Sequence, residues 1–210
     1  MGYDFQIIDA DTHVDESEAT WENLQTSEYK HAPSTVLPSG DAEFQGAADP
    51  LFRRWWLVED RLQQRAIRDE VHHPPRASRE LHDVAQRLGD MDRMGVHTQV
   101  LFPTFFIRYN TSNPEAELAL TSAYNRWIAQ RCELSNGRMR WAAVLPWLSP
   151  DKAAEELRWA KDNGACGFFK RGYDLGKQVS DPHFFPVYEE AGMLDMPVCI
   201  HTGHPLPGHE

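Results

Sequence analysis

The stretch Phe5 to Glu16, FQIIDADTHVDE, sets carboxylates and an imidazole at the end of an apolar run. If Phe5 to Ala10 is a strand, its two-residue period sends Asp9, Asp11 and His13 to one side and Ile8, Ala10 and Thr12 to the other. A carboxylate and an imidazole two residues apart at a strand end can bite one divalent ion. A plainer use of the same residues has Asp9 and Asp11 capping the following turn and His13 as an ordinary loop histidine. Residues of related chemistry recur further on. Lys170 and Arg171 end the apolar run ACGFFKR, and His201 lies near the end of PVCIHTG, with His204 just beyond. The pair His72-His73 could also ligate a metal, but the prolines Pro74 and Pro75 hold their neighbour extended, so a solvated turn is expected there.

The elements that must position these residues begin in earnest at Ser78. Leu81, Val84, Leu88 and Met91 recur at helical spacing, which predicts a helix from about Arg79 to Met94 with Ser78 as N-cap and Gly95 as its stop. Thr98 to Thr104 reads as a buried strand, and Asn113-Pro114 opens a helix running through Leu118, Tyr124, Trp127 and Ile128. Arg140 to Trp147 is a third strand. Ser149-Pro150 opens a helix that stops at Gly164, and Ala165 to Arg171 is a fourth strand. Asp181-Pro182 opens one more helix, before a fifth strand from Pro197 to Gly203. Between Glu16 and Ala77 the aromatics Trp21, Phe44, Phe52, Trp55 and Trp56 are scattered with little periodicity, and a structureless loop or lid inserted at about 16–77 of a single domain is expected.

The capping dipeptides begin at 113, 149 and 181, so they are 36 and 32 residues apart, the size of one strand-plus-helix unit. Nearly continuous apolar strands alternating with amphipathic helices predict a parallel sheet covered on the outside, either a closed barrel or an open doubly wound sheet. The first strand-to-helix turn, DADTHVDE, lacks a Gly-rich phosphate loop and would aim carboxylates at a pyrophosphate, which favours the barrel. Barrel chemistry sits at the C-terminal ends of the strands. His13 follows strand one there, Lys170 and Arg171 close strand four, and His201 closes strand five. For Lys170 three roles are open: a salt bridge to a neighbouring carboxylate, a contact to an anionic substrate, or, if carboxylated, a bridge between two metals. Strand parity leaves open which of Lys170 and Arg171 points inward.

Composition removes several alternatives. With 32 acidic against 21 basic residues the net charge is -11, which repels a nucleic-acid backbone. No apolar run approaches the roughly 20 residues of a membrane span, and the N-terminus lacks a basic segment followed by a long apolar one, so a cytoplasmic protein is expected. Cys132, Cys166 and Cys199 lack CxxC spacing and fall inside predicted elements, which predicts buried, reduced thiols.

Taken together, IIDADTHV, GDMDRMGVHTQVLFPT, GRMRWAAVLPW and FFPVYEEAGMLDMPVCIHTGH resemble the amidohydrolase superfamily, in the branch related to aminocarboxymuconate semialdehyde decarboxylase. The resemblance runs from Phe5 to His204. It implies a (β/α)8 TIM barrel holding a divalent metal, Zn or Mn, by a strand-one pair and a strand-five histidine, which fall on Asp11, His13 and His201. Asp11 stands where the commoner strand-one pattern, HxH, has its first histidine, a change that favours a harder ion such as Mn. The implied activity is non-oxidative decarboxylation of a small aromatic or unsaturated carboxylic acid, with hydrolysis of an ester, amide or lactone as the alternative. His201, Lys170 and Arg171 are the expected catalytic residues, and Lys170, Arg171 and His204 the expected substrate contacts. Eight strands with their helices need roughly 250 residues, whereas the sequence ends at Glu210, just after the fifth. The absent units would carry a further histidine and a strand-eight aspartate. The N-terminal part of a longer enzyme, or a truncated product, is therefore expected, inert by itself and either aggregation-prone or a homodimer through its open strand edges. The reading from another class is an inactive fragment or a non-catalytic binding protein.

Overall fold

The computed structural model describes residues 5–36, 55–65, 72–108 and 110–202. In chain order the strands are β1 (Ile8–His13), β2 (Ser34–Val36), β3 (Trp55–Val58), β4 (Arg61–Gln64), β5 (Thr98–Phe102), β6 (Met139–Ala143), β7 (Gly167–Arg171), β8 (Tyr173–Asp174), β9 (Lys177–Gln178) and β10 (Val198–His201). The helices are α1 (Arg76–Arg79), α2 (Val84–Met94), α3 (Pro114–Glu133), α4 (Pro150–Asp162) and α5 (Phe185–Met193).

The principal sheet has the order β1-β5-β6-β7-β10, with every neighbouring pair parallel. A doubly wound sheet reverses its strand order partway across; this one follows the chain without reversal, as a (β/α)8 barrel does. It is also strongly curled. In a flat sheet the two outermost strands would stand about 19 Å apart, four spacings of about 4.8 Å. Here a carboxylate on β1 and an imidazole on β10 approach to 3.2 Å. The expected barrel architecture is thus observed, over five strands.

Sequence dictates the layers directly. β7 is buried along its whole length and β6 at four of five positions, as sheet covered on both faces requires. Against them pack Tyr124, Trp127, Leu157, Phe184 and Val187 from the helical layer. Asn125, fully buried on α3, ties that helix to the end of β6: its amide donates to the Val144 carbonyl at 2.8 Å and its oxygen accepts from the Val144 N–H at 2.9 Å. Helix ends follow the expected chemistry at Asn113, whose side chain accepts from the Glu115 N–H, and at Gly95, which adopts the left-handed conformation (φ 72°). At Asp181 the first turn is a 3-10 turn, Pro182–Phe184, before α5 begins.

Two expectations are corrected. The helix foreseen from Arg79 is broken into α1 and α2, because buried Leu81 takes a positive φ of 51° and Asp83, accepting from the Gln86 N–H, is the N-cap instead of Ser78. A carboxylate with an extended backbone offers α2 a better start than a serine five residues earlier. The segment after β1 is likewise not structureless where it is described. It forms 3-10 turns at Glu18–Asn23 and Thr26–His31 and an antiparallel sheet, β2-β3-β4. Trp56 of β3 is buried edge-on against Trp21 and Phe105, which seats this small sheet on the loop after β5. Arg65, just past β4, is buried against Glu80 at 3.0 Å and donates to the Glu16 carbonyl at 2.9 Å. Phe44 and Phe52 lie outside the described residues, and His72 and His73 are exposed in a turn. The three cysteines are free, Cys132 buried and the others half-buried. Among the described residues no helix is long and apolar enough to cross a membrane.

β10 lies against β7 at a point that tolerates no side chain. A Cβ on Gly167 would stand 2.9 Å from both Cys199 Sγ and the Pro197 carbonyl oxygen. Backbone cannot swing aside as a flexible side chain can, so Gly167→Ala is expected to destabilise by about 1–3 kcal/mol. Urea unfolding measures this, and wild-type stability would show that β10 is free to shift off β7.

Candidate metal centre

β1 does not hold its expected alternation. Its pairing with β5 shifts register between Asp9 and Thr12, so one extra residue is accommodated there. Asp9 lies on the Gln99 side, 3.5 Å from that amide, and Gln99 in turn accepts from Arg87 of α2. Beyond the irregularity Asp11 and His13 turn toward the concave face. The prediction that Asp9 shares a side with them is corrected by this bulge.

On that face Asp11, His13 and His201 converge, each offering a ligand atom within 4.8 Å of the others. His13 Nε2 is 3.1 Å from His201 Nε2, His201 Nε2 is 3.2 Å from Asp11 Oδ1, and His13 Nε2 is 3.8 Å from Asp11 Oδ1. Two carbonyls settle the state of the rings. His13 Nδ1 lies 2.9 Å from the Pro103 oxygen and His201 Nδ1 lies 2.8 Å from the Thr202 oxygen. A carbonyl can only accept, so each neutral ring carries its proton on Nδ1 and turns an Nε2 lone pair toward the other. Two lone pairs and a carboxylate facing one another are reconciled either by a proton on one Nε2 or by a metal ion held among the three. The spacing suits a divalent ion, since ligand bonds of about 2.1 Å at tetrahedral angles place ligand atoms about 3.4 Å apart.

The surroundings are apolar on one side and open on the other. Phe102 stacks on His201 with ring centroids 5.6 Å apart, and Phe169 approaches the same ring at 5.6 Å. The Asp11 side chain is 71% exposed while those of His13 and His201 are 15% and 12% exposed, so access is from the Asp11 side.

Lys170 and Arg171 part company at this point. Lys170 shares a face of β7 with Phe168, whose ring meets Trp147 and Tyr188 in the outer layer. Its side chain is fully buried, with Nζ 3.2 Å from Asp174 Oδ2, 3.9 Å from the Phe184 ring centroid and 4.6 Å from that of Trp147. Burial pulls its ammonium below the usual lysine range, against the opposing pull of Asp174. Of the three roles open to it, the salt bridge is the one the structure shows, and Lys170 lies away from the face that carries Asp11, His13 and His201. Arg171 shares the Phe169 face. Its guanidinium donates to the carbonyls of Phe106 (3.2 Å) and Arg108 (2.6 Å) and to Asp174 Oδ1 (2.6 Å). It lines a cavity of about 20 Å³, with room for one water, bounded also by Phe106, Asn110, Glu117 and Phe169. His204 lies outside the described residues.

Two buried acids beside these strand ends were given no role by the sequence. Glu16 accepts from the Thr104 and Phe105 N–H groups, and burial pushes its carboxyl up to about 8. Glu117 accepts from the Leu148 N–H, and burial likewise raises it to about 8. Glu16 stands only three residues after His13 in the same motif, a proximity that could have marked it.

Residues 8–210 match the family model described as amidohydrolase. Over 132 residues, 57% of the chain, the sequence is 30% identical to gamma-resorcylate decarboxylase of Rhodococcus jostii (strain RHA1). That match spans 40% of the relative, so the chain corresponds to less than half the length of this curated protein. An amidohydrolase from Mycobacterium avium subsp. paratuberculosis superposes with a TM-score of 0.73 at 19% identity, over 96% of this chain and 59% of that one. The 5-carboxyvanillate decarboxylase of Novosphingobium aromaticivorans, solved with bound manganese, superposes with a TM-score of 0.58 at 19% identity, over 94% of this chain and 51% of that one.

The raised carboxyls make stability depend on pH. Unfolded, Glu16 and Glu117 release their protons near 4.5; folded, they keep them to about 8. The folded state therefore binds more protons in that window, and the stability these groups contribute, complete below 4.5, is lost as pH rises through about 8. Thermal unfolding midpoints should fall from pH 5 to 8, and Glu117→Gln should flatten the slope; an unchanged slope would show that Glu117 ionises freely in the folded protein.

Proposed function

Since the chain belongs to the amidohydrolase family, we propose that it forms the metal-binding part of a divalent-metal decarboxylase acting on small aromatic or unsaturated carboxylic acids. The carrying observation is the convergence of the Asp11 carboxylate with two imidazole lone pairs at strand ends. The direction toward decarboxylation is supported by the likeness to a protein named gamma-resorcylate decarboxylase. Mn or Zn fits the donor set, and a bound manganese is present in the 5-carboxyvanillate decarboxylase neighbour.

In this reading His13 and His201 each present Nε2 to the ion, while the Pro103 and Thr202 carbonyls keep the protons on Nδ1 and the rings from turning. Asp11 supplies negative charge on the exposed side. The ion, when bound, supplies Lewis acidity to a substrate oxygen, lowering the cost of negative charge next to the scissile carbon. Phe102 and Phe169, both buried, pack against the His201 ring and exclude water from that side of it. A strand-eight aspartate and a further histidine, implied by the superfamily resemblance, would complete the site in a longer chain.

Elemental analysis tests the ligands and product analysis the reaction. An Asp11→Ala, His13→Ala double variant is expected to lose bound Mn or Zn, and unchanged metal stoichiometry would refute the ligand assignment. In the longest natural form of the protein, carbon dioxide release from 2,6-dihydroxybenzoate or a related phenolic acid should require the metal. Hydrolysis of an ester or lactone without any decarboxylation would replace this reading by the hydrolytic one.

A further inference from the structure

We propose that Glu16 is a positioning residue of the metal centre, holding the loop after β5 so that the Pro103 carbonyl fixes the proton of His13; this rests on the metal-centre reading above. His13 can offer Nε2 to an ion only while Nδ1 has an acceptor, and that acceptor belongs to a loop residue, not to a strand. The loop therefore has to be held in place. Directly after Pro103, the Thr104 N–H points at both Glu16 oxygens, at 3.1 and 3.3 Å, and the Phe105 N–H donates to Glu16 Oε2 at 2.8 Å. The Thr104 hydroxyl donates to the Val14 carbonyl at 2.6 Å, closing the link back to the residue after His13.

The far end of the same loop is held by a buried cation. Arg171 donates to the carbonyls of Phe106 and Arg108, and is itself oriented by Asp174. The segment 104–108 thus has its leading N–H groups on a buried carboxyl and later carbonyls on a buried guanidinium. Neither group touches the three ligand atoms in the contacts described. Glu16 acts on His13 through one peptide group, and the Arg171 contacts explain why that cation is turned toward protein carbonyls. The effect on metal binding is that of a lost outer partner, a loss of about 10- to 100-fold in affinity.

The test compares Glu16→Ala, Glu16→Gln and Glu117→Ala in two readouts: Mn(II) affinity by titration calorimetry, and the His13 tautomer by nitrogen-15 spectra of the metal-free protein. Glu16→Ala is expected to weaken Mn(II) binding by about 10- to 100-fold and to mix the His13 tautomers. Glu16→Gln, which keeps an acceptor oxygen, should stay close to wild type. Glu117→Ala removes an equally buried acid that bonds elsewhere, so it should lower the melting temperature without moving either readout. The proposal is overturned if Glu16→Ala lowers the melting temperature yet leaves His13 and the Mn(II) affinity unchanged. If wild type binds no Mn(II), the metal-centre reading fails, and the tautomer alone decides the positioning role. If Glu16→Ala does not fold, Arg171→Gln loosens the other end of the loop; mixed His13 tautomers then support the proposal and a wild-type spectrum overturns it.

Discussion

Three hydrogen-bond acceptors brought within 4 Å of one another repel unless a proton or a metal ion joins them, and here they come from the two outermost strands of the sheet. That repulsion has to be resisted by covalent and hydrogen-bonded structure around it. The curl of the sheet brings β1 and β10 face to face, the bulge in β1 turns Asp11 and His13 inward, and two carbonyls deny each imidazole the chance to rotate. The aromatic rings of Phe102 and Phe169 then fill the side that water would otherwise use to screen the charges.

Much of this was legible in the sequence because it is governed by short-range rules. Asn113-Pro114 and Gly95 mark helix ends for local steric and hydrogen-bonding reasons, and they do so in the structure. Recurrence of capping dipeptides at intervals of 36 and 32 residues identified the repeating unit, and strand-end positions singled out Asp11, His13 and His201. Illegible parts depend on what lies across space. Asp9 left the expected side because a register shift depends on β5, which is remote in sequence. Which of Lys170 and Arg171 faces inward stayed open because parity along one strand cannot tell inside from outside until the helices are in place. Ser78 lost the capping role to Asp83 once buried Leu81 adopted a left-handed backbone. Glu16 carried no visible signal beyond proximity, since its partners are backbone N–H groups some 88 residues away.

The small antiparallel sheet illustrates the same limit. Its strands are short and its aromatics irregularly spaced, so periodicity has nothing to detect. What seats it is tertiary: Trp56 against Trp21 and Phe105, and Arg65 buried between Glu80 and the Glu16 carbonyl. Of these partners, Phe105 lies on the loop after β5 that also carries the His13 acceptor, and the Glu16 side chain holds that same loop. The insertion and the metal centre therefore share one support, and strain in the first would be felt at the second.

Asp11 and His201 lie 190 residues apart in the chain yet meet at 3.2 Å. During folding such a pair closes a very long loop, which makes its formation late and slow relative to helices and neighbouring strand pairs. A site spread over both ends of the order β1-β5-β6-β7-β10 cannot exist in a chain whose middle strands have yet to assemble. Capture of an ion would then act as a latch on assembly, stabilising only molecules in which every intervening strand has found its place and leaving misassembled ones without it.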